Sequence, residues 1–432
     1  MNWNYIRKGI LYFLIALSLF LSWNIWTAGS QTEEGATTSG NGNPTVIFDR
    51  SLTSVFGPVQ VAVHEGGDIR ITGSEGMLTP LSENIVDWTL EGLNDPESIS
   101  PTTFANQANQ SPSIVLVFEG LTPFALFDEI FDNLPADYEQ RTFNRILIPI
   151  DNPSRVTFYN MESNLAYEAE VSGISPEMID LLAYNEEQDY YSAELLAFGD
   201  RLHYMPVEEM EVAYMDYLIE RLPNSLFIDR FFEDTSEVDV RRDGDVTRYI
   251  DLTSEMRINE KTNILTFNRQ LSSRDTLTLS SIAENSYREL LRVENWTQET
   301  HFHHYNRERN LATFRRYIDG WPVFGPNGEG ALEISVTPNG LTYLRVPLAV
   351  VQTPIAPVED SYTKTLESGR DLRMQLAESG VDLDTVQNLR IGLTWRTSEE
   401  SSRVVHFEPD WYLMIDGQWQ RLHAVLNTKG GM

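Results

Sequence analysis

Three histidines crowded into His-Phe-His-His, residues 301–304, are the first residues whose types invite chemistry. On an extended strand His301 and His303 point the same way and His304 points opposite. Two imidazoles at that spacing can begin a zinc site, but a third ligand must come from elsewhere. Glu299 and Glu308 stand nearby, without any pattern known from zinc enzymes. A strand with partly exposed histidines is the simpler reading. Glu208, Glu209, Glu211 and Asp216 form a second cluster, and paired carboxylates do acid–base work when their surroundings split their pKa values. At the start of a helix they more simply favour its positive end. The run RRDGDVT, 241–247, echoes a calcium loop but lacks that motif's later acid, so it reads as a turn.

Other chemistries are missing at the level of residue type. The 432 residues include seven histidines and no cysteine, which excludes thiolate catalysis and disulfides. Nothing matches a phosphate loop, a dinucleotide turn or a nucleophile elbow. Trp321, Trp411 and Trp419 could stack on sugars, though such residues more often fill cores. No catalytic residue, metal or cofactor is expected, and a zinc-dependent wall hydrolase is the weakest reading of the histidines. Its formal charge of −32 opposes nucleic-acid binding, which depends on Lys and Arg neutralising phosphates.

The elements that must carry these residues begin with GILYFLIALSLFLSWNIWT, residues 9–27. Nineteen uncharged residues at 1.5 Å each give roughly 28 Å, close to a bilayer's hydrocarbon thickness. Arg7 and Lys8 precede the run and the next charge is Glu33, which places residues 1–8 in the cytoplasm and the bulk of the chain outside. Small residues suited to a signal-peptidase cut are poorly placed around Trp26, so the run reads as an uncut anchor. Ser18 and Ser22, with Ala16 nearby, give one helix face small enough for close packing against another span. Residues 28–44 are rich in Gly, Ser, Thr and Asn and read as a flexible stalk.

Beyond the stalk the pattern is α+β. Strands are expected at PVQVAVHE, IVLVFEG, NRILIPI and RVTFYN, and helices at LSENIVDWTLEGL, SPEMIDLLAYNEE and VEEMEVAYMDYLIERL. Asp243-Gly244 marks a hairpin. Ile282, Ala283, Ser286, Tyr287, Leu290 and Leu291 share one helical stripe suited to a sheet. Strands follow at HFHHY, ATFRRYIDGWPVF, ALEISVT and LTYLRVPLAVV, then a helix near 361–378, then strands at LRIGLTWRT, SRVVHFEPDWYLMID and QWQRLHAVL. A helix followed by an antiparallel meander thus occurs twice. The expected parts are an N-terminal α+β domain (45–205), a central helix-plus-sheet domain (206–352) and a C-terminal helix-plus-sheet domain (353–432).

LSLFLSWNIWT in the anchor, MRINEKTNILTFNRQ, and YIDGWPVFG followed by EISVTPNGLTYLRVPL together resemble the YycH family of Gram-positive bacteria, over essentially the whole chain. The G-x-P-V-F core is Gly320, Pro322, Val323 and Phe324. That resemblance implies a single-pass cell-membrane protein with a three-domain exterior. It further implies a non-enzymatic regulator of the WalK/WalR (YycG/YycF) two-component system, which governs cell-wall metabolism. A YycI-like protein and the WalK-type histidine kinase are the implied partners, the kinase being met partly through the membrane helix. The alternative is an exterior receptor for wall polymer or cations, with the helix as a simple tether.

Overall fold

The computed structural model describes residues 50–127, 138, 140–185, 190–271, 276–355 and 362–429. The expected membrane helix 9–27, its face of Ala16, Ser18 and Ser22, and the stalk 28–44 lie outside them. Among the described residues no helix is long and apolar enough to cross a membrane.

Period-two burial organises the first sheet. Its strands are β1 (Gln60–Glu65), β2 (Asp68–Thr72), β3 (Thr89–Leu93), β4 (Glu97–Ser98), β5 (Ser113–Pro123), β6 (Thr142–Pro149), β7 (Arg155–Asn160), β8 (Leu165–Ser172), β9 (Tyr191–Phe198) and β10 (Arg201–Pro206). In β8, Tyr167, Ala169 and Val171 turn inward while Glu168, Glu170 and Ser172 face out, as a half-buried strand requires. The strands assemble antiparallel in the order β10-β9-β2-β1-β5-β6-β7-β8-β3, with β4 on β8.

Four helices flank this sheet: α1 (Leu52–Val55), α2 (Glu75–Ile85), α3 (Pro101–Gln110) and α4 (Pro176–Tyr184). Met77, Leu81, Ile179 and Leu182 bring α2 and α4 into one core, and α3 packs Phe104 and Ala108 into another. Ser100 and Ser175 cap α3 and α4 ahead of a proline, the expected order at a helix start. The helix expected across 81–93 ends at Ile85, because Thr89–Leu93 pairs with β8 and Gly92 takes a positive φ of 68°.

The second sheet draws on β12 (Met215–Arg221), β13 (Asp239–Asp243), β14 (Val246–Ile250), β15 (Ser254–Asn259), β16 (Ile264–Arg269), β17 (Glu299–Asn306), β18 (Leu311–Ile318), β19 (Trp321–Phe324), β20 (Ala331–Thr337), β21 (Gly340–Pro347), β22 (Ala349–Pro354), β24 (Val386–Thr397), β25 (Val404–Ile415) and β26 (Gln418–Arg421). The order is β13-β14-β15-β16-β21-β20-β18-β19-β24-β25-β12-β22, with β17 on β18 and β26 on β25. Strand β19 is the splice: it runs antiparallel to β18 and parallel to β24, where Val323 faces Leu393 and Phe324 faces Thr394. Two antiparallel meanders thereby become one sheet.

The segment expected as a helix over 207–222 is instead β11 (Met210–Ala213) and β12. Met210 and Val212 are buried and Glu211 between them is exposed, a period of two rather than 3.6. Their partners come from far along the chain: β11 pairs with β23 (Thr363–Leu366), and β12 with β22 and β25. The hairpin near Asp243-Gly244 forms, with Gly244 and Asp245 as its two-residue loop.

Helix α5 (Asn224–Phe231) precedes α6 (Leu279–Val293), which carries the apolar stripe read from the sequence. Ile282, Ala283, Ser286 and Leu290 are buried, joined by Val293, while Tyr287 and Leu291 are half-buried. Each large aliphatic side chain so buried contributes about 1.5–3 kcal/mol. Thr278 caps the helix by accepting from the Ser281 amide. One side of α6 meets β18, β20 and β21, and it also meets the 3₁₀ turn Phe124–Phe127 of the first part, so one core runs between the two sheets. Helix α7 (Gly369–Glu378) starts later than expected, after β23, and sets Leu372 and Leu376 against Leu389, Ile391, Trp411 and Leu413. Leu422–Lys429, expected as strand, is α8.

Candidate functional site

The three histidines do lie on a strand, but a β-bulge between Phe302 and His304 divides them. His301 and His303 are buried rather than partly exposed, at 4% and 5%. His301 Nε2 lies 3.4 Å from Glu299, and its ring meets Tyr317 edge-on. The ring of His303 lies against Trp419, and its Nδ1 is 3.8 Å from Glu119. Among the described residues no group of three metal-ligating side chains stands close enough to hold an ion. Burial, with Arg315 next, holds His303 well below the ordinary imidazole range, so it is neutral at pH 7.

Glu119 leads to the place where the parts of the chain converge. Between Val117 and Thr122 the pairing of β5 with β6 is interrupted, and the bulged residues include Glu119 and Gly120. A Cβ on Gly120 would stand 2.7 Å from the Phe302 ring and 3.0 Å from the His303 carbonyl oxygen, so its absence lets β17 approach β5. The side chain of Glu119, 1% exposed, forms an ion pair with Arg390 at 2.7 Å and accepts from Asn388 at 2.9 Å, both on β24. Arg145 on β6 donates from Nη1 to the carbonyls of Phe118 and Asn144, at 3.1 and 2.6 Å. Burial, followed by the nearby Arg390, lowers Arg145 to about 10. His203 on β10 is lowered to about 3 by burial, then by Arg145, Arg390 and Arg201.

Two cavities flank this junction. The smaller, about 160 Å³, lies between the first sheet and the β18–β19 turn and β24, and includes Arg145, His203, Tyr317, Trp321 and Arg390 in its wall. The larger is a cleft of about 850 Å³ lined by Arg309, Arg315, Arg345, Arg396 and Arg421, with Trp395, Tyr412 and Trp419 among them. Glu408 offsets part of that positive charge, accepting from Arg396 at 2.6 Å, from Lys364 at 3.2 Å and from Arg421. Burial opposes ionisation of Glu408, but Arg421 and Lys364 more than offset it and hold the carboxyl below its ordinary range.

Gly320, Pro322, Val323 and Phe324 sit at the splice. Asp319 and Gly320 both take positive φ, at 51° and 77°, forming the tight turn from β18 to β19. A Cβ on Gly320 would stand 2.2 Å from the Gly73 carbonyl oxygen, so glycine here also permits contact with the first part. Phe324 stacks on Tyr412 at 3.9 Å between ring centroids, and Arg315 lies over its face. The acidic cluster behaves differently: Glu208, Glu209 and Glu211 are exposed, and Asp216 lies 2.6 Å from His406 Nδ1 on neighbouring β25. They converge on no shared centre. Sequence reasoning passed over Glu119, Arg145 and Arg390; the available signal was an arginine inside an apolar strand, as in NRILIPI and LRIGLTW.

Comparison with known proteins adds the following. A family model described as the YycH protein, N-terminal domain, matches residues 4–179, and the YycH protein, C-terminal domain, matches residues 200–431. The two-component system WalR/WalK regulatory protein YycH of Bacillus subtilis (strain 168) is 20% identical over 441 residues, covering 96% of this chain and 95% of the relative. The crystal structure of YycH from Bacillus subtilis superposes with a TM-score of 0.70 at 16% identity, covering 86% of this chain and 97% of that one, a likeness of fold.

Proposed function

From the premise that the chain belongs to the YycH family, we propose that it is a non-enzymatic regulator of a WalR/WalK-type two-component system. What carries the reading is the match to the regulatory protein of Bacillus subtilis along nearly the full length of both chains. In this proposal residues 9–27 anchor the protein in the cell membrane, with the N-terminus cytoplasmic and the remainder outside. The face formed by Ala16, Ser18 and Ser22 packs against the spans of the WalK-type kinase. A YycI-like protein and the exterior of the kinase meet the folded region.

The mechanism is physical coupling. A packed helix changes signalling only by preferring one arrangement of its partner over another. A preference of about 1.4 kcal/mol shifts such an equilibrium tenfold. A second reading, an exterior receptor for an anionic wall polymer with the helix as a tether, draws on the arginine- and tryptophan-lined cleft.

One experiment separates them. Deleting the gene should alter WalR-dependent transcripts, and Ser18→Leu with Ser22→Leu should reproduce that change and reduce co-purification of the kinase. Replacing residues 9–27 by an unrelated span of equal length should do the same. Normal transcripts after both replacements would favour the tethered receptor, and normal transcripts after deletion would refute regulation altogether.

A further inference from the structure

The small cavity holds a charge imbalance. Arg145 is surrounded by protein yet retains accessible surface, and that surface borders the cavity. Its hydrogen-bond partners are backbone carbonyls, and among the described residues no carboxylate lies within ion-pair distance of it. Arg390, in the same wall, shares Glu119 with Asn388. Two guanidinium groups thus neighbour one buried carboxylate, Glu119, paired with Arg390 alone, while the exposed Glu162 acts on Arg145 from beyond ion-pair distance, in a chain of net charge −32. Asp319 also borders the cavity, but it is exposed on the turn at the rim. An uncompensated charge inside a protein is strongly destabilising unless something neutralises it, which makes such a group a candidate for a binding site.

Unused hydrogen-bonding atoms accompany the imbalance. Tyr317 Oη and His203 Nε2, both on residues of this wall, have no partner. Buried polar atoms are nearly always satisfied, so each exception needs a cause. Tyr204, in the same wall, shows the contrast: its hydroxyl is engaged with His64 Nε2 at 2.9 Å. Trp321 and Trp411 supply the apolar part. At about 160 Å³ the space falls below the roughly 300–1,000 Å³ of sites for drug-sized ligands, so its occupant has few heavy atoms.

We propose that this cavity binds a small oxyanion, carboxylate or phosphate in type. Arg145 and Arg390 neutralise its charge, and Tyr317 and the N–H tautomer of His203 donate to its oxygens. Because β6 and β10 belong to the first sheet and β18 and β24 to the second, a bound anion links the two sheets. The exterior thereby becomes a sensor of a small anion, a role separate from kinase contact.

Full-length protein titrated with sodium acetate, phosphate or sulfate, against sodium chloride at equal ionic strength, tests this by calorimetry and thermal unfolding. Saturable one-to-one binding of at least one oxyanion, with a higher Tm, is expected. Preference for acetate identifies carboxylates as the ligand class, and preference for phosphate or sulfate identifies tetrahedral anions. Arg145→Met should weaken binding at least about tenfold, as loss of a charged donor implies. Tyr317→Phe should weaken it about three- to tenfold while leaving the unliganded Tm unchanged, since the hydroxyl has no partner to lose. If Arg145→Met does not fold, Tyr317→Phe decides. No saturable binding up to about 20 mM, where a millimolar site would fill, or equal affinity in wild type and the folded variants, overturns the proposal.

Discussion

Two buried arginine–glutamate sites in this molecule obey the same electrostatics and end in opposite states. Glu294, just past α6, accepts from Arg316 Nε at 3.1 and 3.2 Å and from Nη2 at 3.0 Å. The remaining reach of Arg316 goes to the carbonyls of Ala349 and Pro347, at 2.8 and 3.4 Å. One cation meets one anion, and the pair ties α6, β18 and the β21–β22 link together. At the Glu119 junction Arg390 meets the carboxylate while Arg145 nearby has only carbonyl partners, and neighbouring polar atoms, among them Tyr317 Oη and His203 Nε2, go unused. A saturated pair fixes architecture, and an unsaturated one leaves capacity for something to bind.

The comparison breaks most visibly at Glu294. Glu294→Gln strands a fully buried guanidinium, and the expected loss is about 3–5 kcal/mol, read from the urea midpoint. Added phosphate should not restore it, because neither of the two cavities described reaches that pair. Glu119→Gln should cost less, about 2–3 kcal/mol, since Arg390 keeps 18% exposure and is partly solvated. Phosphate should recover part of that loss. Equal responses of both variants to phosphate would erase the distinction between the sites.

Acidification sharpens it with the smallest effect. His203 and His303 have folded values below the ordinary imidazole value, so below about pH 6.5 the unfolded chain takes up protons that the folded chain refuses. Stability should fall by about 1.4 kcal/mol per pH unit for each histidine. For His203 that fall continues toward about pH 3, its folded value. A Tm series from pH 7 to 5 checks this, and a flat profile would mean that both rings take protons freely in the folded state.

What was legible in the sequence follows from range. The stripe of α6 and the hairpin at Asp243-Gly244, with Gly244 at a φ of 57°, are decided by neighbouring residues, and they appear where the pattern put them. Residues 210–221 misled because their glutamates suggest a helix, while their strand partners lie more than a hundred residues downstream. The HFHH run was readable as a strand, yet its burial depends on Gly120 and the β5 bulge on another sheet. Arg145 and Arg390 stand out locally only as arginines inside apolar strands, because the packing of the first sheet against β24 that brings them together is long-range. Gly320 was noticed as part of a motif, and its physical reason, contact with Gly73, is equally remote.

The pairing of β12 with β25 has a consequence for how the protein is made. Met215 leaves the ribosome about 190 residues before its partner strand begins at Val404, an interval of roughly 10–40 s at 5–20 residues per second. During that wait one edge of β12 offers bare amides and carbonyls to any passing chain. Nonsense mutations near the 3′ end of the gene should therefore yield aggregates rather than shortened, folded products.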